Sequence, residues 1–131
     1  MRNTTFCIAA ILAAVAGTPA LAASSFQQTC SNIFFAYSGN EPAIDATCLR
    51  ANGTPNHTSL ILKGIGNNNG TLVQGGSGNS TFQESCGNIL IVVESPTEVA
   101  LTAFCRTGSG ASNRTMLPLN NISNQNGVLT Q

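Results

Sequence analysis

From about residue 24 onward the chain never sustains a helical hydrophobic period; its apolar residues come in short runs separated by Gly, Asn and Ser. Ile33-Phe34-Phe35-Ala36-Tyr37 and Ile89-Leu90-Ile91-Val92-Val93 have strand length and are rich in β-branched or aromatic residues, so each predicts a strand. Ala43 to Leu49 and Glu98 to Cys105 alternate in part between apolar and polar positions, as half-buried strands do. Asn69-Gly70 and Asn126-Gly127 predict tight hairpins, because both residue types accept the positive φ of a primed turn. Leu62-x-x-Ile65 and Leu119-x-x-Ile122 fit one helical turn each. The pattern predicts an all-β protein with a few single-turn helices.

The amino terminus is different. Arg2, the apolar run Phe6 to Ala16 and the small residues Ala20-Leu21-Ala22-Ala23 form the three parts of a secretory leader over residues 1–23. The apolar run is too short for a membrane anchor. Residues 24–131 are therefore expected to form one soluble, secreted, extracellular domain without membrane insertion.

Within that domain the sequence repeats. Phe26-Gln27-Gln28-Thr29-Cys30-Ser31-Asn32 returns as Phe82-Gln83-Glu84-Ser85-Cys86-Gly87-Asn88. A second cysteine follows in each copy, as Cys48-Leu49-Arg50 and as Cys105-Arg106, and the run Leu60 to Leu72 is answered by Leu117 to Leu129. The copies span about 25–75 and about 80–131 by this period. Cys7 falls in the leader, so an even set of cysteines remains in a chain bound for an oxidising compartment. The simplest pairing joins Cys30 to Cys48 and Cys86 to Cys105, each closing a loop of about 20 residues that contributes roughly 3 kcal/mol. Gly75-Gly76-Ser77-Gly78-Asn79 has linker composition. Such a hinge permits side-by-side repeats, or strands exchanged in one chain or between chains, and so a monomer or a domain-swapped dimer.

Composition then removes several function classes. Only 8% of residues are charged and the net charge is +0, which leaves no electrostatic footprint for nucleic acid or anionic membrane. With a lone His57 and no Cys-x-x-Cys pair, neither a metal site nor another cofactor is expected. A glycosidase needs two carboxyl groups facing one bond, whereas Glu84 has no acidic partner in its motif and Asp45 is the chain's single aspartate. No enzyme is expected. The abundant Asn, Ser, Thr and Gln suit a neutral, hydroxyl-rich partner. Sequons at Asn52, Asn56, Asn69, Asn79, Asn113 and Asn121 are potential glycan acceptors.

The doubled pattern Phe-x-x-Thr/Ser-Cys-x-Asn, a second cysteine with a neighbouring Arg, and Leu-x-x-Ile-x-Asn-x-Asn-Gly-x-Leu resembles the cyanovirin-N homology family from about residue 25 to the end. Members of that family are mannose-binding lectins of cyanobacteria, filamentous fungi and ferns; the leader and sequons fit a eukaryotic, fungal source. The resemblance implies a pseudo-symmetric fold in which each half joins a three-stranded sheet to a hairpin, with strands exchanged between repeats. Residues 26–64 would be completed by the hairpin at Asn126-Gly127, and the other half would form from 65–115.

It also implies one pocket per half for mannose-containing glycans. The pocket of the half built from 65–115 would hold Asn67, Asn69, Ser80, Thr81, Glu84, Ser85, Arg106 and Thr107. There Glu84 accepts from sugar hydroxyls, Arg106 donates, and Ser85 and Thr107 can do both. The other pocket would hold Ser25, Gln28, Thr29, Asn124, Gln125 and Asn126, with Leu49 and Ala51 standing where the family's archetype is acidic and hydroxylic. Fewer polar partners make it the weaker pocket. Asn67 and Asn124 also read as structural turn residues that bond their own backbone. The competing function is a secreted structural or interaction protein of the same fold that binds no sugar.

Overall fold

The computed structural model describes residues 23–131; all of the expected leader but its last residue lies outside them. The described residues form ten strands and two single-turn 3-10 helices. In the first repeat the 3-10 turn Phe26–Gln28 leads into β1 (Cys30–Ser38), β2 (Glu41–Leu49) and β3 (Pro55–Ile61), then the hairpin β4 (Lys63–Asn68) and β5 (Thr71–Asn79). The second repeat runs through the 3-10 turn Phe82–Glu84, β6 (Cys86–Ser95), β7 (Glu98–Arg106) and β8 (Ser112–Leu119) to a hairpin of β9 (Ser123–Gln125) and β10 (Val128–Thr130). All strand pairing is antiparallel, in two three-stranded sheets, β1-β2-β3 and β6-β7-β8, and the two hairpins.

The expected strands stand where the apolar runs placed them. Asn69 and Asn126 both take φ of 50° ahead of glycines at 91° and 88°, as a turn with two positive-φ residues requires. Asn32 and Asn88 also have positive φ. Each sits where the register of its sheet slips, between Ser31 and Phe34 in β1 and between Gly87 and Leu90 in β6. Asparagine tolerates that conformation better than any branched residue.

Two local expectations are corrected. Helical turns were expected at Leu62 to Ile65 and Leu119 to Ile122, yet the single-turn helices lie at Phe26–Gln28 and Phe82–Glu84. Lys63 to Ile65 instead begin β4 of the β4–β5 hairpin, and Leu62, Ile65, Leu119 and Ile122 are buried as core side chains. The glycine-rich segment 75–79 is not a free linker, because Lys63 pairs with Asn79 and the Gln74 side chain donates to the Lys63 carbonyl at 2.8 Å. Gly64, at φ 73°, lies so close to the carbonyls of Gly75 and Gly76 that no Cβ fits.

Each hairpin docks on the other repeat's sheet. The β4–β5 hairpin packs on β8, and the β9–β10 hairpin packs on β3. The same two side-chain contacts hold each of them. Asn113 Nδ2 donates to the Gly70 carbonyl at 2.8 Å and Asn56 Nδ2 to that of Gly127 at 2.7 Å. Thr115 Oγ1 accepts from the Leu72 amide at 3.0 Å and Thr58 Oγ1 from that of Leu129 at 3.1 Å. Strands are thus exchanged within the one chain, as the resemblance implies.

One core runs through both halves. Phe26, Ile44, Ala46, Cys48, Leu62, Ile65 and Leu72 of the first repeat join Phe82, Leu101, Ala103, Cys105, Leu119, Ile122 and Leu129 of the second. Ser24 and Ser80 close its two ends alike. Ser24 Oγ donates to the Leu119 carbonyl at 2.6 Å and accepts from the Ile122 amide; Ser80 Oγ donates to that of Leu62 at 2.7 Å and accepts from the Ile65 amide. The disulfides join Cys30 to Cys48 and Cys86 to Cys105, within each repeat as expected.

A Cβ at Gly70 would stand 2.8 Å from Thr107 Cγ2 and one at Gly127 2.8 Å from Arg50 Cγ, both at positive φ. Gly70→Ala and Gly127→Ala should each destabilise the protein by about 1–3 kcal/mol. Gly75→Ala, with nothing within 4 Å of its Cβ, should stay within about 0.5 kcal/mol of the unchanged protein. Denaturant unfolding of the three variants checks the contrast.

Candidate functional site

The expected pocket residues of the second half come from three places: Asn67 and Asn69 from the β4–β5 hairpin, Ser80 to Ser85 from the segment leading into β6, and Arg106 with Thr107 from the end of β7. Phe82 anchors the middle segment, fully buried, so the 3-10 turn carries Glu84 to the surface one residue ahead of Ser85. Arg106 N donates to the Ser85 carbonyl at 3.0 Å, which holds the two segments side by side.

These residues divide into those that build the site and those that face out of it. Asn67 Nδ2 donates to Ser85 Oγ at 2.8 Å and to the Arg106 carbonyl at 3.0 Å, while its Oδ1 accepts from the Gly70 amide. Asn69 Oδ1 accepts from the Gly108 amide at 2.7 Å. Ser80 is 5% exposed and its hydroxyl is spent inside the fold. Thr107 Oγ1 bonds Ser109 Oγ at 2.9 Å. Thr81 is exposed, and its amide donates to Ile65. The two asparagines thus fasten the hairpin tip to the β7–β8 connection, and Asn67 in addition bonds its own turn at Gly70, the role read for it from the sequence.

Glu84 and Arg106 remain. Both are exposed, and among the described residues neither side chain makes a hydrogen bond or an ion pair. They line one polar concavity of 380 Å³ together with Ser85, Gly87, Asn88, Phe104 and Ser112. Asn67, Asn69, Ser80, Thr81 and Thr107 do not line it. Phe104 and Ser112 carried no signal in the repeat pattern; strand pairing alone brings them in, since Arg106 faces Ser112 and Phe104 faces Gly87.

The first half repeats the scaffold and changes the chemistry. Asn124 Nδ2 donates to Thr29 Oγ1 and to the Leu49 carbonyl, both at 2.9 Å, its Oδ1 accepts from Gly127, and Asn126 Oδ1 accepts from the Ala51 amide. A shallow concavity of 420 Å³ is lined by Thr29, Leu49, Arg50, Ala51, Gly53, Asn124 and Asn126. Ser25, Gln28 and Gln125 lie outside it. Ser25 N donates to Ile122, and Gln125 Nε2 bonds Ser123.

Gln28, which stands where Glu84 stands in the second repeat, donates instead to the Pro96 carbonyl at 2.9 Å. The β6 strand is 10 residues against 9 in β1, and the Pro96-Thr97 turn meets Gln27 and Gln28. Arg50 was not among the expected site residues. Its guanidinium is committed to Thr54, to the Pro55 carbonyl and to Asn56 Oδ1 at 2.7 Å. This concavity therefore has no free charged group.

No His, Cys, Asp or Glu cluster able to hold a metal occurs among the described residues, and no helix among them is long and apolar enough to cross a membrane. His57 Nε2 lies 3.4 Å from Asp45 on an exposed strand face, away from both concavities.

The CVNH domain profile matches residues 26–130. The chain belongs to the CVNH family. Solved CVNH structures superpose across nearly their whole length. The CVNH protein of T. borchii is 30% identical with a TM-score of 0.60, covering 81% of this chain and 97% of its own. Microvirin, solved with mannobiose, is 29% identical with a TM-score of 0.59, covering 82% and 97%. A variant of MoCVNH3 in complex with an N-acetylglucosamine tetramer has the same fold at 18% identity and a TM-score of 0.61, covering 86% and 99%. No curated protein sequence matches significantly.

Asn67→Ala would leave the Gly70 amide and the Arg106 carbonyl without their partners, and Asn124→Ala would do the same at Gly127 and Leu49. Each substitution should destabilise the protein by about 1–3 kcal/mol. Thermal unfolding monitored by circular dichroism reads this directly; unchanged midpoints would show that the asparagines are not structural.

Proposed function

We propose that this protein is a secreted, non-catalytic lectin that binds mannose-containing oligosaccharides, high-mannose glycans among them, through the concavity of its second half. The observation that carries the reading is the pair Glu84 and Arg106, an acceptor and a donor left unpaired beside Ser85 in one polar concavity. A sugar hydroxyl both donates and accepts, so it satisfies both groups without needing a net charge of its own. Unpaired polar groups in the free protein become a penalty against any ligand that fails to match them, and that penalty is the source of specificity.

Membership of the CVNH family and the binding of mannobiose by microvirin, a relative 29% identical, support a sugar as the partner. Secretion is supported by the leader-like residues 1–23 and by two disulfides that need an oxidising compartment. In such a compartment Asn52, Asn69, Asn79 and Asn121 are candidate N-glycosylation sites, while Asn56 and Asn113 hold the exchanged hairpins through the amide nitrogen that a glycan would occupy.

Glu84→Ala combined with Arg106→Ala removes both free charged groups. Hydrogen bonds to charged groups contribute about 1.5–3 kcal/mol each, so mannobiose or oligomannoside affinity should fall at least about tenfold. Gln28→Ala should change it less than about twofold, because that amide already serves Pro96. Isothermal titration of both variants reads the difference. Equal affinity in the double variant would place binding elsewhere, and no binding of any glycan by the unchanged protein would leave a structural or interaction protein of this fold.

A further inference from the structure

The concavity that holds Glu84 and Arg106 does not continue inward towards the hairpin tip; it opens onto the outer face of the β6-β7-β8 sheet. Along β7 the side chains of Leu101, Ala103 and Cys105 are buried, and those of Phe104 and Arg106 are exposed on the opposite face. Residues two apart on a strand share a face, so the Phe104 ring and the Arg106 guanidinium stand side by side. Phe104 is 43% exposed, a large apolar surface to leave in water.

Its neighbours explain why the ring is bare. Directly across from Phe104 on β6 is Gly87, which has no side chain to cover it, and an added Cβ there would meet nothing within 4 Å. On β8 the facing residue is Arg114, and Ser112 faces Arg106. The bulge at Asn88 then carries β6 out of register beyond Gly87. The result is a ring whose flank is open, bounded by Glu84 at one side and by Arg106 and Ser112 at the other.

The first half leaves Phe34 and Tyr37 exposed on β1, but neither lines its concavity. At the corresponding strand positions Thr47 faces Ser31 and His57, Leu49 faces Pro55, and Gln28 is bound to Pro96. The aromatic ring, the uncovering glycine and both free charges occur together only in the second half.

We propose that Phe104 is the floor of a carbohydrate subsite on the outer sheet face, taking a pyranose ring by the face that presents its axial C–H bonds. This rests on the sugar-binding reading above and extends it by a second point of contact. The hydroxyls at the ring's edge reach Glu84, Arg106 and Ser112 while the apolar face covers Phe104. A pyranose is amphipathic in this way, with polar edges and C–H-rich faces, and an aromatic ring buries such a face without competing for its hydroxyls. An isolated carboxylate and guanidinium would select polarity alone; the ring adds selection for a flat, C–H-bearing body. The ligand is therefore an oligosaccharide with one residue on the ring, not a small polyol held only at its hydroxyls.

Two substitutions separate the ring from the charges. Phe104→Thr installs the residue found at the corresponding position of β2 and keeps a strong strand former. Gly87→Leu leaves Phe104 and every polar group in place but covers the ring; Gly87 does not have positive φ, so the strand accepts the side chain. The probes are mannobiose and the N-acetylglucosamine tetramer, and the tighter binder of the unchanged protein is titrated against all three proteins. Both variants should keep the unfolding midpoint within a few degrees and lose about fivefold or more in affinity. Amide shifts on binding should include Gly87, Asn88 and Ser112. If either folded variant binds as tightly as the unchanged protein, or the shifts are confined to Asn67–Gly70 and Thr107–Gly110, the Phe104 subsite is refuted and the lectin reading stands. If the unchanged protein binds neither probe and no high-mannose oligosaccharide either, both are refuted.

Discussion

Everything else in this molecule depends on a hairpin being held by the wrong repeat. In the second hairpin β9 and β10 have only 3 residues each, and even the longer β4–β5 pair is a two-stranded unit of the kind that is at best marginal in water alone. Each survives because its apolar residues enter a core built largely by the other repeat, and because an Asn and a Thr on that repeat's third strand take up its turn carbonyl and a backbone amide. The glycine at each tip is required by the same contact. Its missing Cβ lets the tip approach the loop after β2 or β7 to distances no side chain permits. Exchange of this kind makes the two repeats one folding unit, since neither can complete its own core.

The site is a by-product of that docking. The hairpin tip must be fastened to the end of β7, and Asn67 does so by spanning Ser85, the Arg106 carbonyl and the Gly70 amide. The fastening brings the segment before Cys86 against the residues after Cys105, and the disulfide between those cysteines holds the same two strands together. Glu84 and Arg106 are thereby fixed at the surface by backbone contacts beneath them while their own ends stay free. A rigid frame with uncommitted charged ends has already met part of the ordering cost of binding. The first half has the same frame without the free charged ends. Asn124 fastens its tip with the same bonds, yet Leu49 stands at Arg106's place and Gln28 is drawn away to Pro96.

Much of this was legible in the chain because the repeat doubled every signal. Asn-Gly at each tip, the cysteine spacing and the paired apolar runs identify strands, hairpins and bridges with little ambiguity. What the one-dimensional pattern hid was anything settled by pairing across strands. The Leu62 to Ile65 segment carries a helical spacing, but edge pairing and burial of both side chains draw Lys63 to Ile65 into a strand. The glycine-rich 75–79 segment has linker composition, and it is ordered by Lys63, which bonds both Glu41 and Asn79 at 3.0 Å. Ser80 and the four turn asparagines are polar residues in the right segments, and chain order cannot tell a polar group that builds a pocket from one that faces its ligand. Phe104 is the converse case, an aromatic in a strand that reads as core until the facing Gly87 is known.

That difference between building and facing residues bears on how such a duplicated fold acquires halves of unequal surface chemistry. Positions that clamp the exchanged hairpins are the same in both halves here: Asn56 and Asn113, Thr58 and Thr115, Asn67 and Asn124, Gly70 and Gly127. A change at any of them destabilises the shared core and so harms both halves at once. Positions that face outward differ freely, with Gln28 against Glu84, Leu49 against Arg106, Thr47 against Phe104 and Ser31 against Gly87. Their substitution costs the fold little because their side chains are exposed or, at Thr47, half-buried, and it alters the chemistry of one half alone. The coupling that makes the repeats inseparable as a fold thus leaves them independent as surfaces, and the gathering of two free charges beside the Phe104 ring in the second half is a consequence of that separation.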